Sequence, residues 1–343
     1  MHRRSSSTDA MQLKSSLAQD FCMEDIKKHW IEEQLSLKHK CVLEDSPEIL
    51  EKLNGGTLLV GGLDISYSKN DSSLAFVGVS VVRIGDPVLE TQCETLTVDC
   101  SRVTVEVPYV PNFLAFREVP AYVSAVRAFE ARHSPLAPDV LMVDSNGTLH
   151  PLRFGAACHL GVLLERPTFG VAKNLPLLES APNCFPLDAD GPMQKHLLLQ
   201  RLKQMKRGDK LDLLGKEGLI DGVALLTTAS SNPVFVSPGH LITLQTAVEI
   251  TLRCSIYRIP EPTRRADLRT REELAKFVDV KKVGDGLPIT LCLLKNGESC
   301  AASFAAFNCA GSEVVLEEQL GNFVASINSS ALRFNSCRMN FNT

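Results

Sequence analysis

Residues 57–68 read TLLVGGLDISYS, a stretch that is almost continuously apolar as far as Asp64. Apolar runs of this kind are typical of strands that are covered on both faces. An ionised carboxylate is rarely buried unless it is paired or binds a metal, so packing alone does not explain Asp64 in such a strand. The segment therefore predicts a central strand with a functional position on it.

Two more strands are predicted directly after this one, LAFVGVSVVRI (74–84) and VLETQCETLTV (88–98). The short gaps between the three strands carry turn residues, which indicates antiparallel hairpins. The segment FLAFREVPAYVSAVRAFEARH (113–133) then reads as a helix. Pro120 fits in the first turn of that helix if the helix begins near Val119.

Strands and helices alternate over the next part of the chain. The predicted elements are, in order, the strand DVLMVD (139–144), the helix FGAACHLGVLLE (154–165), the strand PTFGVAK (167–173), a surface excursion (176–193), a basic helix (194–206), the strand pair IDGVALLTT (220–228) and PVFVSPG (233–239), and a long helix (241–257) that begins after Gly239-His240. This order predicts an α/β fold with a ribonuclease H-like mixed sheet, in which three antiparallel strands lead into parallel strands and helices cover both faces.

Composition restricts the class of protein. Apolar residues make up 44% and charged residues 22% of the 343 residues, as in ordinary folded proteins, and no apolar run approaches the roughly 18 residues of a membrane helix. The net charge of −4 gives no global basic signal for a nucleic-acid partner, but Lys and Arg cluster over 195–210 and 253–271. Each cluster is either a phosphate-binding face or a solvated helical face.

The cysteines and the N-terminus bear on the cellular compartment. The 11 cysteines are scattered without a CxxC pair, which fits a reducing compartment. The first residues, MHRRSSSTDAMQLKSS, lack the apolar core of a secretory signal. Their Arg and Ser content faintly resembles a mitochondrial presequence, and Asp9 counts against that reading. We expect a cytoplasmic protein, with a nuclear or nucleolar pool as the alternative.

Three acidic residues lie where the predicted elements change. Asp64 and Asp144 each follow a strongly apolar run, and Glu118 lies near the start of the helix between them. If the two strands are neighbours, these carboxylates converge, and Mg²⁺ held by one or two carboxylates and substrate phosphates promotes phosphodiester cleavage. Any one of these acids on its own would more often be a cap or a surface charge.

Further candidates keep more than one reading each. His240 is either a general acid or base, a phosphate ligand, or a helix cap, and Asp267 is either a fourth carboxylate or a salt-bridge partner. Tyr109, held between Pro108 and Val110-Pro111, either stacks on a base or packs in its loop. Candidates that could contact the sugar-phosphate chain, or simply be exposed, are Lys173, His150 and Arg153.

Six segments together resemble the endonuclease V family, in family order and from about residue 24 to 272. They are VGGLDISY (60–67), PYVPNFLAFREVP (108–120), VDSNGTLHPLRFGAACHLGVL (143–163), TFGVAKNL (168–175), FVSPGHLITLQTAVEI (235–250) and YRIPEPTRRAD (257–267). The last segment is similar to the animal branch. The resemblance implies a ribonuclease H-like nuclease that needs Mg²⁺, with Mn²⁺ as a substitute, and cuts the second phosphodiester bond on the 3′ side of inosine.

The resemblance also implies residue roles. Asp64, Glu118, Asp144, His240 and Asp267 match the catalytic set, with Asp64 and Asp144 on the metal. Residues that match substrate-binding positions are Tyr109 (the wedge beside the displaced base), Pro108, Asn112, Ser145, His150, Arg153 and Lys173. The sequence departs from the family at Asn112 and Ser145, where the family has glycine, and at Leu152, where it has arginine. These departures concern base selectivity and leave the metal site intact.

The expected organisation and activity follow from this. We expect a disordered segment over 1–22, an endonuclease V-like catalytic domain over 23–275, and a loosely ordered extension over 276–343 with a strand or two. Animal members prefer single-stranded RNA, so the expected partner is inosine-containing single-stranded RNA. We expect the protein to be a monomer that does not associate with a membrane. The alternatives are a repair endonuclease acting on deaminated DNA and a non-catalytic reader of inosine-containing RNA.

Overall fold

The computed structural model describes the side chains of residues 23–85, 93–174, 200–215, 218–230 and 232–277, and additionally the backbone of the helices and strands named below that lie outside these ranges. Most of the predicted surface excursion (176–193) and residues 194–199 of the predicted basic helix (194–206) lie outside the described residues.

The described elements alternate between strand and helix over most of the chain. The helices are α1 (Ser7–Lys38), α2 (Pro47–Asn54), α3 (Leu114–Arg132), α4 (Ala156–Leu164), α5 (Leu244–Arg253) and α6 (Glu261–Gly284), with a 3₁₀ turn at Ser134–Leu136. The strands are β1 (Leu59–Tyr67), β2 (Leu74–Arg83), β3 (Glu94–Thr104), β4 (Val140–Val143), β5 (Thr168–Ala172), β6 (Leu187–Asp188), β7 (Gly191–Pro192), β8 (Lys210–Leu214), β9 (Ile220–Leu225), β10 (Val234–His240), β11 (Thr290–Lys295), β12 (Glu298–Ser303), β13 (Glu313–Val315) and β14 (Ser326–Asn328).

One mixed sheet carries strands β1 to β10 in the order β3-β2-β1-β4-β5-β10-β9-β8-β6-β7. The first three strands form antiparallel hairpins, β4 pairs with β1 in parallel, and β5 pairs with β4 in parallel. Strand β10 then returns antiparallel to β5. The ribonuclease H-like fold predicted from the order of elements is therefore confirmed, although its parallel part is limited to β1, β4 and β5.

Helices cover both faces of this sheet because the inner strands are apolar on both sides. Leu63, Leu141 and Val143 point to the face on which α3 and α4 pack. Val60 and Met142 alternate with them in sequence and point to the opposite face, where α2 and α5 pack. Successive strand residues point to opposite faces, so Gly62 and Asp64 belong to the side of Val60. The core thus consists of two apolar layers separated by the sheet.

The helix α3 matches the predicted segment 113–133 to within one residue at each end, but it does not begin near Val119. It starts at Leu114, so Pro120 lies inside the helix and the prediction that it sits in the first turn is wrong. Pro120 has no N–H to donate to the carbonyl of Phe116, one turn earlier. The earlier start is compatible with burial of Ala115, Glu118 and Val119 on one side of the helix, and packing of that side outweighs the lost hydrogen bond.

Two other boundaries differ from the prediction. Strand β3 covers Glu94–Thr104 rather than 88–98, and residues 86–92 lie outside the described residues. The predicted helix over 241–257 is shorter, because Thr243 caps α5 and accepts a hydrogen bond from the N–H of Thr246. His240 therefore ends β10 and does not open a helix.

The chain divides into two compact units, Met1–Leu274 and Ala275–Thr343. In the first, α1 begins at Ser7, inside the segment expected to be disordered; residues 7–19 contain several Ala, Leu, Gln and Lys, which favour helix. In the second, β11 with β12 and β13 with β14 form two antiparallel pairs. Among the described residues, no helix is both long and apolar enough to span a membrane.

Candidate active site

Two carboxylates and a lysine meet at the ends of the three parallel strands. Leu63 of β1 pairs with Val143 of β4, so Asp64 and Asp144, the next residue in each case, lie side by side. Lys173 follows the end of β5. Its Nζ lies 2.5 Å from Asp144 Oδ2 and 3.8 Å from Asp64 Oδ1. The parallel register thus brings residues that are distant in the sequence together in one cluster.

A third carboxylate comes from α6. Asp267 Oδ1 lies 3.5 Å from Lys173 Nζ, and it also accepts a hydrogen bond from Arg271 Nε at 2.9 Å. The helix can lie this close because β1 and β2 have glycines beneath it. A Cβ on Gly62 would lie 2.1 Å from the carbonyl carbon of Pro262, and one on Gly78 would lie 2.7 Å from the carbonyl oxygen of Ala266.

Asp64 is the most buried group of the cluster, whereas the side chains of Asp144, Asp267 and Lys173 are 13%, 17% and 27% exposed. Asp64 is 6% exposed. Burial, followed by hydrogen bonding to Asp144 and repulsion from its charge, raises the pKa of Asp64 to about 9, and Lys173 offsets only part of this. Burial on its own would lower the pKa of Lys173, but the charges of Asp144, Asp64 and Asp267 outweigh it and raise that pKa. The acids therefore need a cation among them in order to be ionised together.

Glu118 approaches the cluster from the other face of the sheet. It is 6% exposed on α3 and accepts hydrogen bonds from the hydroxyls of Tyr67 at 3.3 Å and of Tyr122 at 3.5 Å. Burial raises the pKa of Glu118 to about 8; the repulsion of Asp144 adds to this, and the two tyrosine hydroxyls oppose it. A carboxyl group with a pKa near neutrality is suited to proton transfer.

The fit of this cluster to a divalent cation is partial without substrate. Within the part of the chain that the structure describes, no three carboxylate, histidine or cysteine side chains are placed to hold a metal ion. The Lys173 ammonium lies in the centre instead. Mg²⁺ is commonly bound by one or two protein carboxylates with waters and substrate phosphate oxygens. Asp64 and Asp144 can supply these two carboxylates.

The loop before α3 exposes an aromatic ring. Tyr109 is 68% exposed, and Pro108 precedes it. The loop is anchored at Asn112, because the distance between His150 Nε2 and the carbonyl oxygen of Asn112 is 3.0 Å. The N–H of Leu152 donates to His150 Nδ1, so His150 carries its proton on Nε2 and donates it to Asn112. Burial lowers the pKa of His150 to about 4, which keeps this neutral form.

The segment after Asp144 folds back across the sheet. The N–H of Gly147 donates to Ser237 Oγ at 2.9 Å. The carbonyl of Ser145 passes over Gly170 of β5 so closely that a Cβ there would lie 2.3 Å from it. Ser145 is half-buried at the beginning of this crossing. Together with the Tyr109 loop, this segment forms the side of the site next to β5 and β10.

Two candidates are placed away from the carboxylates or in another role. His240 pairs with Thr168 at the start of β5, whereas Lys173 follows the end of that strand. Thr168 and Lys173 are five positions apart, which corresponds to about 15 Å along the strand. The structure therefore does not bring His240 to the acidic cluster. Arg153 forms an ion pair with the buried Asp221, in which Nη1 and Oδ1 are 2.7 Å apart. Arg153 therefore has a structural role next to the site.

The comparisons with known proteins agree with this geometry. Residues 36–268 match the endonuclease V family. The chain is 39% identical to mouse endonuclease V over 250 residues, which is 72% of this chain and 69% of the mouse protein. The protein belongs to the endonuclease V family. Its fold is also similar to that of the catalytic domain of human endonuclease V, with a TM-score of 0.65 and 36% identity over 75% of this chain and 99% of the human one.

A further solved relative is the endonuclease V of Ciona intestinalis. It matches with a TM-score of 0.63 and 33% identity over 74% of this chain and 99% of that chain. That protein was solved in complex with a 24mer DNA containing an inosine followed by a ribo-adenosine. Membership of the endonuclease V family establishes this chain as a nuclease.

One departure from the endonuclease V pattern now has a structural explanation. Asn112, which stands where the family usually has glycine, has a φ of 69°. This left-handed conformation is costly for most residues, and asparagine is among the few that adopt it readily. Asparagine at position 112 is therefore compatible with the backbone conformation there.

Three residues near the site were missed at the sequence level. Tyr67 and Tyr122 hold Glu118, and Arg258 donates to the carbonyl oxygen of Lys173 at 2.6 Å. Tyr122 could have been found, since it lies four residues after Glu118 and such residues share a helix face. Tyr67 and Arg258 gave no such local signal, because their partners are distant in sequence.

Proposed function

We propose that this endonuclease V is a metal-dependent endoribonuclease that cuts single-stranded RNA at the second phosphodiester bond on the 3′ side of inosine. The observation that carries the proposal is the cluster of Asp64, Asp144 and Asp267 around Lys173 Nζ. Such a cluster has no role in packing, and its unbalanced negative charge suits Mg²⁺, or Mn²⁺ in its place.

In this proposal Asp64 and Asp144 hold the divalent cation, which supplies positive charge to the phosphate oxygens as cleavage proceeds. Lys173 is free to turn from the carboxylates to a phosphate oxygen, since its side chain is 27% exposed. Asp267 is held by Arg271 and keeps a third negative charge beside the cation.

Glu118 is the group that exchanges a proton with the attacking water or the leaving oxygen. Its two tyrosine partners fix the orientation of its carboxyl group, and its raised pKa lets it hold or release a proton near neutral pH. His240, the other candidate for this role, is about 15 Å of strand away from Lys173.

Inosine RNA is favoured as substrate by three observations. The segment YRIPEPTRRAD is similar to the animal branch, the mouse protein is 39% identical, and the Ciona intestinalis protein was crystallised on a strand with an inosine followed by a ribonucleotide. Turning a base out of a single strand costs little energy. In this proposal the exposed Tyr109 occupies the space that the displaced base leaves. We propose that the protein acts as a monomer in the cytoplasm or nucleus, and the free thiols of its described cysteines are compatible with that reducing compartment.

The experiment compares four oligonucleotides of one sequence, with inosine or adenosine in RNA or DNA, at matched salt because salt dominates such affinities. Wild type and Asp64→Ala are assayed with Mg²⁺, with Mn²⁺ and with EDTA. We expect cleavage of inosine RNA by wild type with either metal, and none by the variant or in EDTA. Cleavage that survives EDTA would contradict the metal assignment.

A second candidate function is repair of deaminated DNA, which the inosine-containing DNA bound by the Ciona intestinalis protein favours. Faster cleavage of inosine DNA than of inosine RNA in the same assay would select it. Binding of inosine RNA with no cleavage by wild type would instead indicate a non-catalytic reader.

A further inference from the structure

Tyr257 is an exposed aromatic residue whose ring is held in place. Its side chain is 56% exposed, and the guanidinium of Arg264 lies 4.5 Å from the ring centroid. Arg264 is itself fixed, since Nε and Nη2 bond to the two oxygens of Glu261 at 2.6 and 3.0 Å. Glu261 is 2% exposed. The ring is thus pre-oriented by a chain of contacts that ends in a buried carboxylate.

Single exposed aromatic residues are common on protein surfaces, so the position of Tyr257 has to carry the argument. Arg264 and Asp267 are three residues apart on α6 and share one helix face. Asp267 contacts Lys173 Nζ, and Arg258, next to Tyr257 in the chain, donates to the Lys173 carbonyl. Two independent connections therefore link Tyr257 to the lysine at the centre of the site.

Tyr109 and Tyr257 are attached to helices that pack on opposite faces of the sheet. The Tyr109 loop leads directly into α3, which packs on the face of Leu63 and Val143. Tyr257 is held by α6, which packs over Gly62 and Gly78 on the other face. A strand that is bound at Tyr109 and cleaved at Asp64 and Asp144 would therefore have the α6 face available to it beyond the cleaved bond.

We propose that Tyr257, backed by Arg264, is a stacking platform for the base of a nucleotide on the 3′ side of the cleaved bond. The inference rests on the proposed cleavage site, two nucleotide steps beyond the inosine. Arg264 and Asp267 are three residues apart on α6, a rise of about 4.5 Å, which is on the scale of one nucleotide step. Stacking accepts any base because every base has a π face, so the platform would strengthen binding without reading sequence.

The arginines of α6 do not provide an alternative explanation by charge alone. Arg264 and Arg265 both pair with Glu261, Arg271 pairs with Asp267, and Arg269 pairs with Glu272 and Glu273. These pairs neutralise most of the positive charge that the sequence showed over 253–271. The exposed ring, rather than a basic face, is the feature that this side of the site offers to a nucleic acid.

The test is a two-by-two comparison of protein and substrate. Wild type and Tyr257→Ala are assayed on an inosine RNA and on the same RNA with stable abasic spacers at the two positions 3′ of the cleaved bond. We expect the variant to lower kcat/KM roughly tenfold on the intact strand and to cause little further loss on the abasic strand, because the stacking partner is already absent. Equal loss on both strands, or no loss on the intact strand, would overturn the platform.

Two controls separate stacking from folding. Tyr257→Phe retains a ring and should keep wild-type kcat/KM on the intact strand. Ile256→Ala removes the adjacent apolar side chain, which is 42% exposed, and should also leave it unchanged. If Tyr257→Phe lost as much kcat/KM as Tyr257→Ala, the stacking role would be contradicted, and a contact of the hydroxyl would be indicated instead.

A binding measurement keeps this inference separate from the proposed function. Fluorescence anisotropy gives Kd for the same proteins and both strands in Ca²⁺, without cleavage. If wild type fails to cut inosine RNA, the proposed function fails, yet a roughly tenfold weaker Kd for Tyr257→Ala on the intact strand alone would still support the platform. Equal Kd values for wild type and variant on the intact strand would refute it.

Discussion

Replacement of Gly62 by alanine should separate α6 from the sheet. The new Cβ would lie 2.1 Å from the carbonyl carbon, 2.2 Å from the carbonyl oxygen and 2.6 Å from the Cα of Pro262. All three are backbone atoms, so no side chain can turn away. Carbon atoms pack at about 3.5–4.0 Å, and the start of α6 must therefore move by about 1.5 Å.

This movement should affect both stability and activity. Overpacking of this kind costs about 1–3 kcal/mol, which corresponds to a fall in Tm of roughly 2–12 °C for a domain of this size. Asp267 lies on the displaced helix, and a misplacement of about 1 Å at a catalytic group can cost about 100-fold in rate. We therefore expect Gly62→Ala to melt earlier and to lose about two orders of magnitude in kcat/KM on inosine RNA.

The assay combines thermal unfolding with cleavage kinetics, and Gly55→Ala is the matched control. Its Cβ would meet the Glu51 carbonyl oxygen at an ordinary 3.4 Å, and its φ of −78° suits alanine. If Gly62→Ala acts through Asp267, adding it to Asp267→Asn should lower activity little further. A Gly62→Ala protein with the Tm and kcat/KM of wild type would refute the close packing of α6 on β1.

Three further predictions follow from single residues. Burial raises the pKa of Asp64 from 3.8 to about 9. Without metal, the folded state therefore loses stability as pH rises between these two values. Asp64→Asn should raise Tm at pH 8, abolish cleavage and remove the Tm increase that Mg²⁺ causes in wild type. Ser145→Gly should change the rate ratio between inosine and adenosine RNA at unchanged Mg²⁺ dependence, and equal changes on both substrates would exclude a pocket role. Burial lowers the pKa of His159 to about 4 from 6.5, so stability should fall by about 3 kcal/mol as pH drops through this range. Denaturant unfolding of His159→Phe, whose ring is as apolar as its neighbours Phe116 and Phe154, should show a smaller fall.

The local pattern of the sequence was enough to locate most strands and the acids that follow them. The apolar runs before Asp64 and Asp144 identify strands covered on both faces, and a carboxylate after such a run stands out without any structure. Helix boundaries were less certain, since Pro120 and His240 each carry a local signal that tertiary packing overrides.

The sequence left the role of Asp267 open between a carboxylate of the site and a salt bridge. The structure shows both contacts, because Asp267 lies 3.5 Å from Lys173 Nζ and 2.9 Å from Arg271 Nε. The arginine lies four residues away on the same helix and could be anticipated. The lysine lies on another element, and the glycines that admit α6 are what bring the two together.

The amino-acid sequence by itself therefore determined the order of elements, the acids at the ends of the apolar strands and the family. Only the tertiary structure decided which of these groups meet: the parallel register of β1, β4 and β5 joins Asp64, Asp144 and Lys173, and the antiparallel pairing of β10 with β5 leaves His240 at the opposite end of β5. The physical reason is that hydrophobic periodicity is a property of each segment alone, whereas contact between side chains depends on which strands pair and in what register.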